Sequence, residues 1–158
     1  VRAKEFIGRY FRTHKEIEKF INKTIEQARK DGYVETLFGR RRYLPEINSS
    51  VMQVRKGAER MAINTPLQGT AADMIKIAMV RISRMATNFN TNGHRLEKSI
   101  RMLLQVHDEL LFEVMDDKVG KATQEIKKIM EGVLKLKIPI IVDVSAGENW
   151  GKMKSIIN

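Results

Sequence analysis

Two adjacent acids, Asp108 and Glu109, stand between two strongly apolar runs in the stretch Gln105-Val106-His107-Asp108-Glu109-Leu110-Leu111-Phe112-Glu113. Residues 100–106 and 110–114 are short, apolar and bounded by polar sequence, which predicts two buried strands. His107-Asp108-Glu109 is then a tight hairpin apex, and a tight apex makes the pair antiparallel. The surrounding chain carries a formal net charge of +10. Paired carboxylates at the tip of a buried hairpin, in a basic protein, point to a divalent metal held near a polyanion. The same residues also suit an ordinary polar turn, because aspartate is a common turn former. On this stretch alone both readings stay open.

The chain has 158 residues, enough for one core and one domain. It has no cysteine, which excludes a disulfide framework and thiol chemistry. No apolar run approaches a membrane span, so no membrane partner is expected. Lys and Arg outnumber Asp and Glu by 29 to 19, and residues 1–60 hold most of the surplus, +7 against +3 for the rest. Phosphate neutralisation is the common use of such an excess, so nucleic acid is the leading partner, against a merely solvated basic face. Val1 to Phe11 already reads as an amphipathic helix, with Phe6, Ile7, Tyr10 and Phe11 on one stripe. A chain that opens inside such a helix is expected to be a piece of something larger.

Thr13 and Glu16 form a capping box ahead of a helix over 14–30, with Ile17, Phe20, Ile21, Ile25 and Ala28 as its apolar stripe and Gly32 as its stop. Residues 33–38 and 41–44 predict a second hairpin carrying Arg40, Arg41 and Arg42 near its bend, ended by Pro45. Asn48-Ser49-Ser50 can cap a helix over 51–63. Pro66 interrupts, and a further helix runs over 67–85 with Ala71, Met74, Ile75, Ala78, Met79 and Ile82 buried. Residues 87–99 form a polar connection. Asp116-Asp117 caps a helix with Val119, Ala122, Ile126, Ile129, Met130 and Val133 on one face. Residues 140–144 read as a continuous apolar strand. The fold class is α+β, a small antiparallel sheet with one face covered by helices.

Arg60, Asn64 and Gln68 are spaced i, i+4, i+8, which stacks them on one helix face. Their donors reach base edges or phosphates. The alternative is a solvated face in which Thr65 and Gln68 cap a new helix, with Pro66 in its first turn. If the helix breaks at Pro66, Gln68 loses register with the other two unless the break is only a kink.

Four blocks together are identified with a known family. Residues 32–45 (Gly-Tyr-Val-Glu-Thr-Leu-Phe-Gly-Arg-Arg-Arg-Tyr-Leu-Pro) resemble the family A DNA polymerases, the bacterial DNA polymerase I type. So do residues 58–73 (Ala-Glu-Arg-Met-Ala-Ile-Asn-Thr-Pro-Leu-Gln-Gly-Thr-Ala-Ala-Asp), the acidic block 105–110 and the closing Gly147-Glu148-Asn149-Trp150. The resemblance covers nearly the whole chain in order; residues 86–99 look longer than is usual and receive no role.

The resemblance implies a palm with part of the fingers of a DNA-directed DNA polymerase, about 1–63 on the fingers side and about 64–158 in the palm. It implies that Asp108 binds the catalytic metals, Mg²⁺ with Mn²⁺ as a substitute, and that Glu109 assists. It further implies that His107 touches the primer terminus, that Gln68 reads the terminal pair in the minor groove with Arg60 and Asn64 as its partners, and that Arg40, Arg41 and Arg42 contact the template backbone. Partners are then primer–template DNA and deoxynucleoside triphosphates, in a bacterial cytoplasm or a phage. The physics agrees: two metals about 3.5–4 Å apart stabilise both oxygens of phosphoryl displacement, and minor-groove acceptors are common to all correct pairs. The family's other metal carboxylate and its nucleotide-binding helix match nothing in this sequence. The isolated chain is therefore expected to bind duplex weakly and to be inactive without the N-terminal part of the polymerase. The alternative is a stand-alone DNA-binding accessory module derived from that fold. A metal-dependent nuclease is disfavoured, because Asp73, Glu113 and Asp143 are isolated on different elements.

Overall fold

A computed structural model describes residues 2–88 and 100–157 of the chain. It divides into two compact units, Val1–Ala71 and Ala72–Asn158. The architecture is α+β, with two-stranded antiparallel sheets and helices.

The first unit opens with α1 (Arg2–Thr13) and α2 (Lys15–Asp31). The capping box expected at Thr13 does not form. Thr13 ends α1 instead, its hydroxyl donating to the Arg9 carbonyl at 3.1 Å, and His14 stands at the N-cap of α2 without a side-chain bond. A helical threonine always has this back-bond within reach, and here it outcompetes the cap. α2 stops at Gly32 as predicted. Its φ of +76° suits glycine, and its N–H closes on the Ala28 carbonyl at 2.8 Å. The apolar stripes are a correction: Phe6, Ile7, Tyr10, Ile17 and Phe20 are exposed, and the buried contact of α2 is confined to its last turns at Ala28.

β1 (Tyr33–Glu35) and β2 (Arg41–Tyr43) pair with Val34 opposite Arg42. Val34, Leu44 and Ile47 share a core with Ala28 of α2 and with Ala58 and Ala62 of α3 (Met52–Asn64). All three alanines are 0 % exposed, so α2 and α3 meet at a seam of small side chains. The residue at the N-cap of α3 is Val51, and Ser49 contributes by accepting the Val51 N–H on its hydroxyl at 3.2 Å. Pro66 does not break the helix. The backbone passes through a π-helical turn, Thr65–Gly69, into α4 (Thr70–Asn88). Proline has no N–H to donate and its ring crowds the carbonyl four residues back, and a widened turn accommodates both.

The second unit packs α4 and α5 (Val119–Glu131) on one face of a hairpin made by β3 (Ile100–Val106) and β4 (Glu109–Val114). Ala78, Ile82, Ala122, Ile126 and Val133 are buried there against Met102, Leu110 and Phe112. Ala71, expected on the buried face of α4, is exposed. The predicted connection over 87–99 lies outside the described residues from 89 onward. The strands are half-buried rather than buried, because only one face is covered. The register slips between Met102 and Leu104, leaving Leu103 as a bulge. Cross-strand partners share a face. Gln105 therefore stands on the covered side with Leu110, while Leu104 stands on the open side with Leu111. Asp116 and Asp117 do not cap α5. They sit in a 3₁₀ turn, Asp116–Lys118, and Asp117 pairs with Lys118 at 2.8 Å.

The strand expected over 140–144 is replaced by a strap. Lys127 Nζ donates to the Val142 carbonyl, and the Val142 N–H donates to Glu131 Oε1 at 3.0 Å. Two side chains of α5 thus take the hydrogen bonds a neighbouring strand would supply, and strand pairing starts only at β5 (Val144–Ala146), which meets β6 (Lys154–Ile157). The Val142 N–H, and then Lys127, hold the Glu131 carboxyl below its ordinary value. A depressed carboxyl contributes stability above its unfolded pKa and loses it as pH falls through the folded one. Hydrogen-exchange protection of the Val142 amide is expected to fall on acidification below the ordinary glutamate range, and to be lost at neutral pH in Glu131→Ala. Protection that does not respond to either change would show the strap to be incidental.

Candidate nucleic-acid interface and acidic apex

β3 and β4 are joined by two residues, His107 and Asp108, between the paired Val106 and Glu109. So short a loop needs a positive φ, and His107 takes it at +53°, the one non-glycine residue to do so among the described residues. An L-residue there costs on the order of 1–3 kcal/mol and persists only where its surroundings hold it. Part of the hold is local: Gln105 Nε2 donates to the His107 carbonyl at 2.6 Å. The strained residue lifts Asp108 to the tip. His107, Asp108 and Glu109 are all exposed. Glu109, opposite Val106, lies on the open face of the hairpin, away from α4 and α5. The apex predicted from sequence is present, with Glu109 as the first residue of β4.

Asp108 and Glu109 offer hard oxygen donors of the kind that Mg²⁺ or Ca²⁺ takes. Among the described residues, no group of three His, Cys, Asp or Glu side chains is placed to hold a metal. The donor chemistry fits a divalent cation, and the donor number falls short of a complete shell. Glu113, further down β4, pairs with Arg101 at 2.7 Å.

In the first unit, Arg60, Asn64 and Gln68 are exposed while Ala58, Ala62 and Thr65 are buried. In an ideal α-helix each four-residue step overshoots a full turn by about 40°. A π-helical turn holds more residues, so the step from Asn64 to Gln68 falls short and takes back the drift. The ladder keeps its register because of the turn at Pro66.

The basic hairpin is less free than its charge suggests. Arg41 pairs with Glu35 across the strands at 2.7 Å and lies over the Tyr33 ring, 4.5 Å from its centre. The Glu35 hydrogen bond, followed by the charges and hydroxyls around it, pushes the Arg41 pKa up. Arg42 Nη2 donates to Met61 Sδ at 3.0 Å, and Arg40 Nη2 donates to the Gly69 carbonyl at 3.1 Å. Glu35 is thus a local counter-ion. Glu35→Ala is expected to strengthen duplex binding at low salt and to steepen the slope of log K against log salt by about one. An unchanged slope, measured by titration across salt concentrations, would remove Arg41 from the phosphate contacts.

Three residues here were not marked by sequence as functional: Thr36, Gly69 and Thr70. Leu37 N–H donates to Thr70 Oγ1 at 3.0 Å, joining the hairpin bend to the π-helical turn. A Gly-Thr pair just after a helical proline is the signal available for them. No helix among the described residues is long and apolar enough to cross a membrane.

A family model described as DNA polymerase family A matches residues 1–152. The thermostable DNA polymerase I of Thermus thermophilus is 47 % identical over 148 residues, covering 94 % of this chain and 17 % of that protein. DNA polymerase I of Deinococcus radiodurans is 45 % identical and that of Pseudomonas aeruginosa 43 % identical, each over 94 % of this chain and over 14 % and 15 % of their own lengths. The chain thus spans about one sixth of the length of these curated relatives. The polymerase domain of Pol1 from M. smegmatis, solved in complex with a DNA primer-template and dNTP, superposes with a TM-score of 0.79 at 42 % identity, covering 87 % of this chain and 23 % of that one.

Proposed function

Since the chain belongs to DNA polymerase family A, we propose that it serves template-directed DNA synthesis as a palm-and-fingers segment of a DNA-directed DNA polymerase. The observation that carries the reading is Asp108 raised on a two-residue apex by a strained His107, within a chain that matches polymerases along almost its full length.

In this reading Asp108 holds a catalytic divalent cation, Mg²⁺ by preference and Mn²⁺ as a substitute, with Glu109 beside it. Such a cation, when bound, stabilises charge on the phosphoryl oxygens. Everything else falls to the chain's own side chains. His107 sets the apex and reaches the primer terminus. Gln68 offers its amide donors to the minor groove of the terminal pair, where correct pairs present the same acceptors. Arg60 and Asn64 continue that contact along the duplex. Arg40, Arg41 and Arg42 bind template phosphates and fix register. Residues 1–63 form the fingers side and residues 64–158 the palm. Two carboxylates are too few to complete a two-metal site, so the isolated chain binds primer–template without extending it, and the rest of the polymerase supplies the missing ligands and the nucleotide site.

A DNA-binding accessory module is the second reading, favoured by that same shortage of carboxylates. The two are separated by placing Asp108→Ala in the polymerase that carries this segment and measuring primer extension. Extension that survives the substitution defeats the metal assignment.

A further inference from the structure

The π-helical turn brings Gln68 back toward the line of Arg60, from which two ideal α-helical steps would carry it about 80°. Several contacts converge on that winding. At its exit the Thr70 N–H bonds to the Leu67 carbonyl instead of the Pro66 carbonyl. The Thr70 hydroxyl takes over, donating to the Pro66 carbonyl itself. The same oxygen accepts the Leu37 N–H from the bend of the basic hairpin at 3.0 Å. Within that bend Thr36 Oγ1 accepts the N–H groups of Phe38 and Arg40, at 3.3 and 3.2 Å, and Arg40 Nη2 reaches the Gly69 carbonyl. The approach is close: a Cβ on Gly69 would stand 2.7 Å from Thr36 Cγ2 and 3.3 Å from Arg40 Nη2.

We propose that Thr36, Gly69 and Thr70 are positioning residues for Gln68, clamping the hairpin bend onto the π-helical turn and so holding Gln68 in line with Arg60 and Asn64. The proposal rests on the minor-groove reading of Gln68. One hydroxyl does two jobs in it. It stands in for the backbone donor that the widened turn diverts, and it ties that turn to the segment bearing Arg41 and Arg42. Without the clamp the turn rewinds toward α geometry, each four-residue step again overshoots by about 40°, and Gln68 drifts about 80° from Arg60. Phosphate contacts and groove reader are thereby kept at a fixed separation, so a duplex seated by one is in register for the other.

The test is fluorescence anisotropy of the 158-residue chain on primer–template duplexes whose terminal purine is either normal or the 3-deaza analogue, which lacks the minor-groove N3 acceptor. The unmodified chain should bind the 3-deaza duplex about fivefold more weakly. Thr70→Val should lose that discrimination while keeping its salt dependence, because the phosphate contacts remain; Thr70→Ser should restore it. Gly69→Ala should lose it too, and adding Thr36→Ser, which removes the obstructing Cγ2 and keeps the hydroxyl, should recover it. Circular dichroism of each variant confirms that the helices are intact. The proposal is overturned if Thr70→Val and Gly69→Ala still discriminate fivefold, or if Thr36→Ser fails to rescue Gly69→Ala. If the unmodified chain itself ignores the N3 atom, the minor-groove reading of Gln68 falls, and the clamp's role falls with it.

Discussion

Asp108→Ala, placed in the polymerase that carries this segment, is expected to lower nucleotide incorporation by about a thousandfold or more while leaving primer–template affinity within a few-fold. The asymmetry follows from position. Asp108 sits exposed on a two-residue loop, so its loss opens no cavity and breaks no strand pair. Its charge also opposes the phosphates, so removing it cannot weaken binding through lost attraction. What it removes, in the proposed reading, is an oxygen ligand, whose worth would lie in the transition state and not in the bound ground state. Single-turnover incorporation measured beside duplex affinity separates the two. A parallel loss of affinity would make Asp108 a structural turn residue, and unaltered incorporation would make it a bystander.

Ile82→Ala is expected to destabilise the second unit by about 2–4 kcal/mol. Ile82 is 2 % exposed and joins Ala78 of its own helix to Ala122 and Ile126 of α5, in the layer that supports Met102, Leu110 and Phe112. Its cluster also holds Val133, and the half-buried Met74, Met85 and Met130 pack against it, so the extent to which these side chains relax sets the cost within that range. Val80→Ala, half-exposed on the same helix, is the control and should change stability by less than about 0.5 kcal/mol. Denaturant unfolding with an unchanged m-value reads both. A cost for Ile82→Ala no greater than that of the control would mean that α4 and α5 do not form the packed layer described.

Much of this was legible from residue order, and the exceptions have physical causes. The hairpin around Asp108 was legible because apolar runs flanking a polar pair admit few alternatives. The α+β class followed from the same contrast, and Gly32 marked its helix end because few other residues accept that φ. The bulge at Leu103 left no trace, since three apolar residues in a row, Met102 to Leu104, satisfy either parity. Pro66 read as a break because sequence shows the missing donor and conceals the π-helical turn that absorbs it. The strand over 140–144 was an apolar pattern whose hydrogen-bond partners turned out to be the side chains of Lys127 and Glu131. At the site, the positions of Arg60, Asn64 and Gln68 were legible as a spacing. The engagements of Arg40, Arg41 and Arg42 were not, because Gly69, Glu35 and Met61 come near them only through tertiary packing or strand pairing.

Leu103 carries a further lesson about length. Beyond it, Leu104 pairs with Leu111 and Gln105 with Leu110, the matches they would make if Leu103 were deleted. The arm therefore stores one spare residue, and a lineage can lose it without turning over a single side chain between it and the tip. The same loss elsewhere in this arm would exchange odd for even and send Gln105 to the wrong side. Heredity can edit this arm by one letter at a single address, and the tip would not register the change.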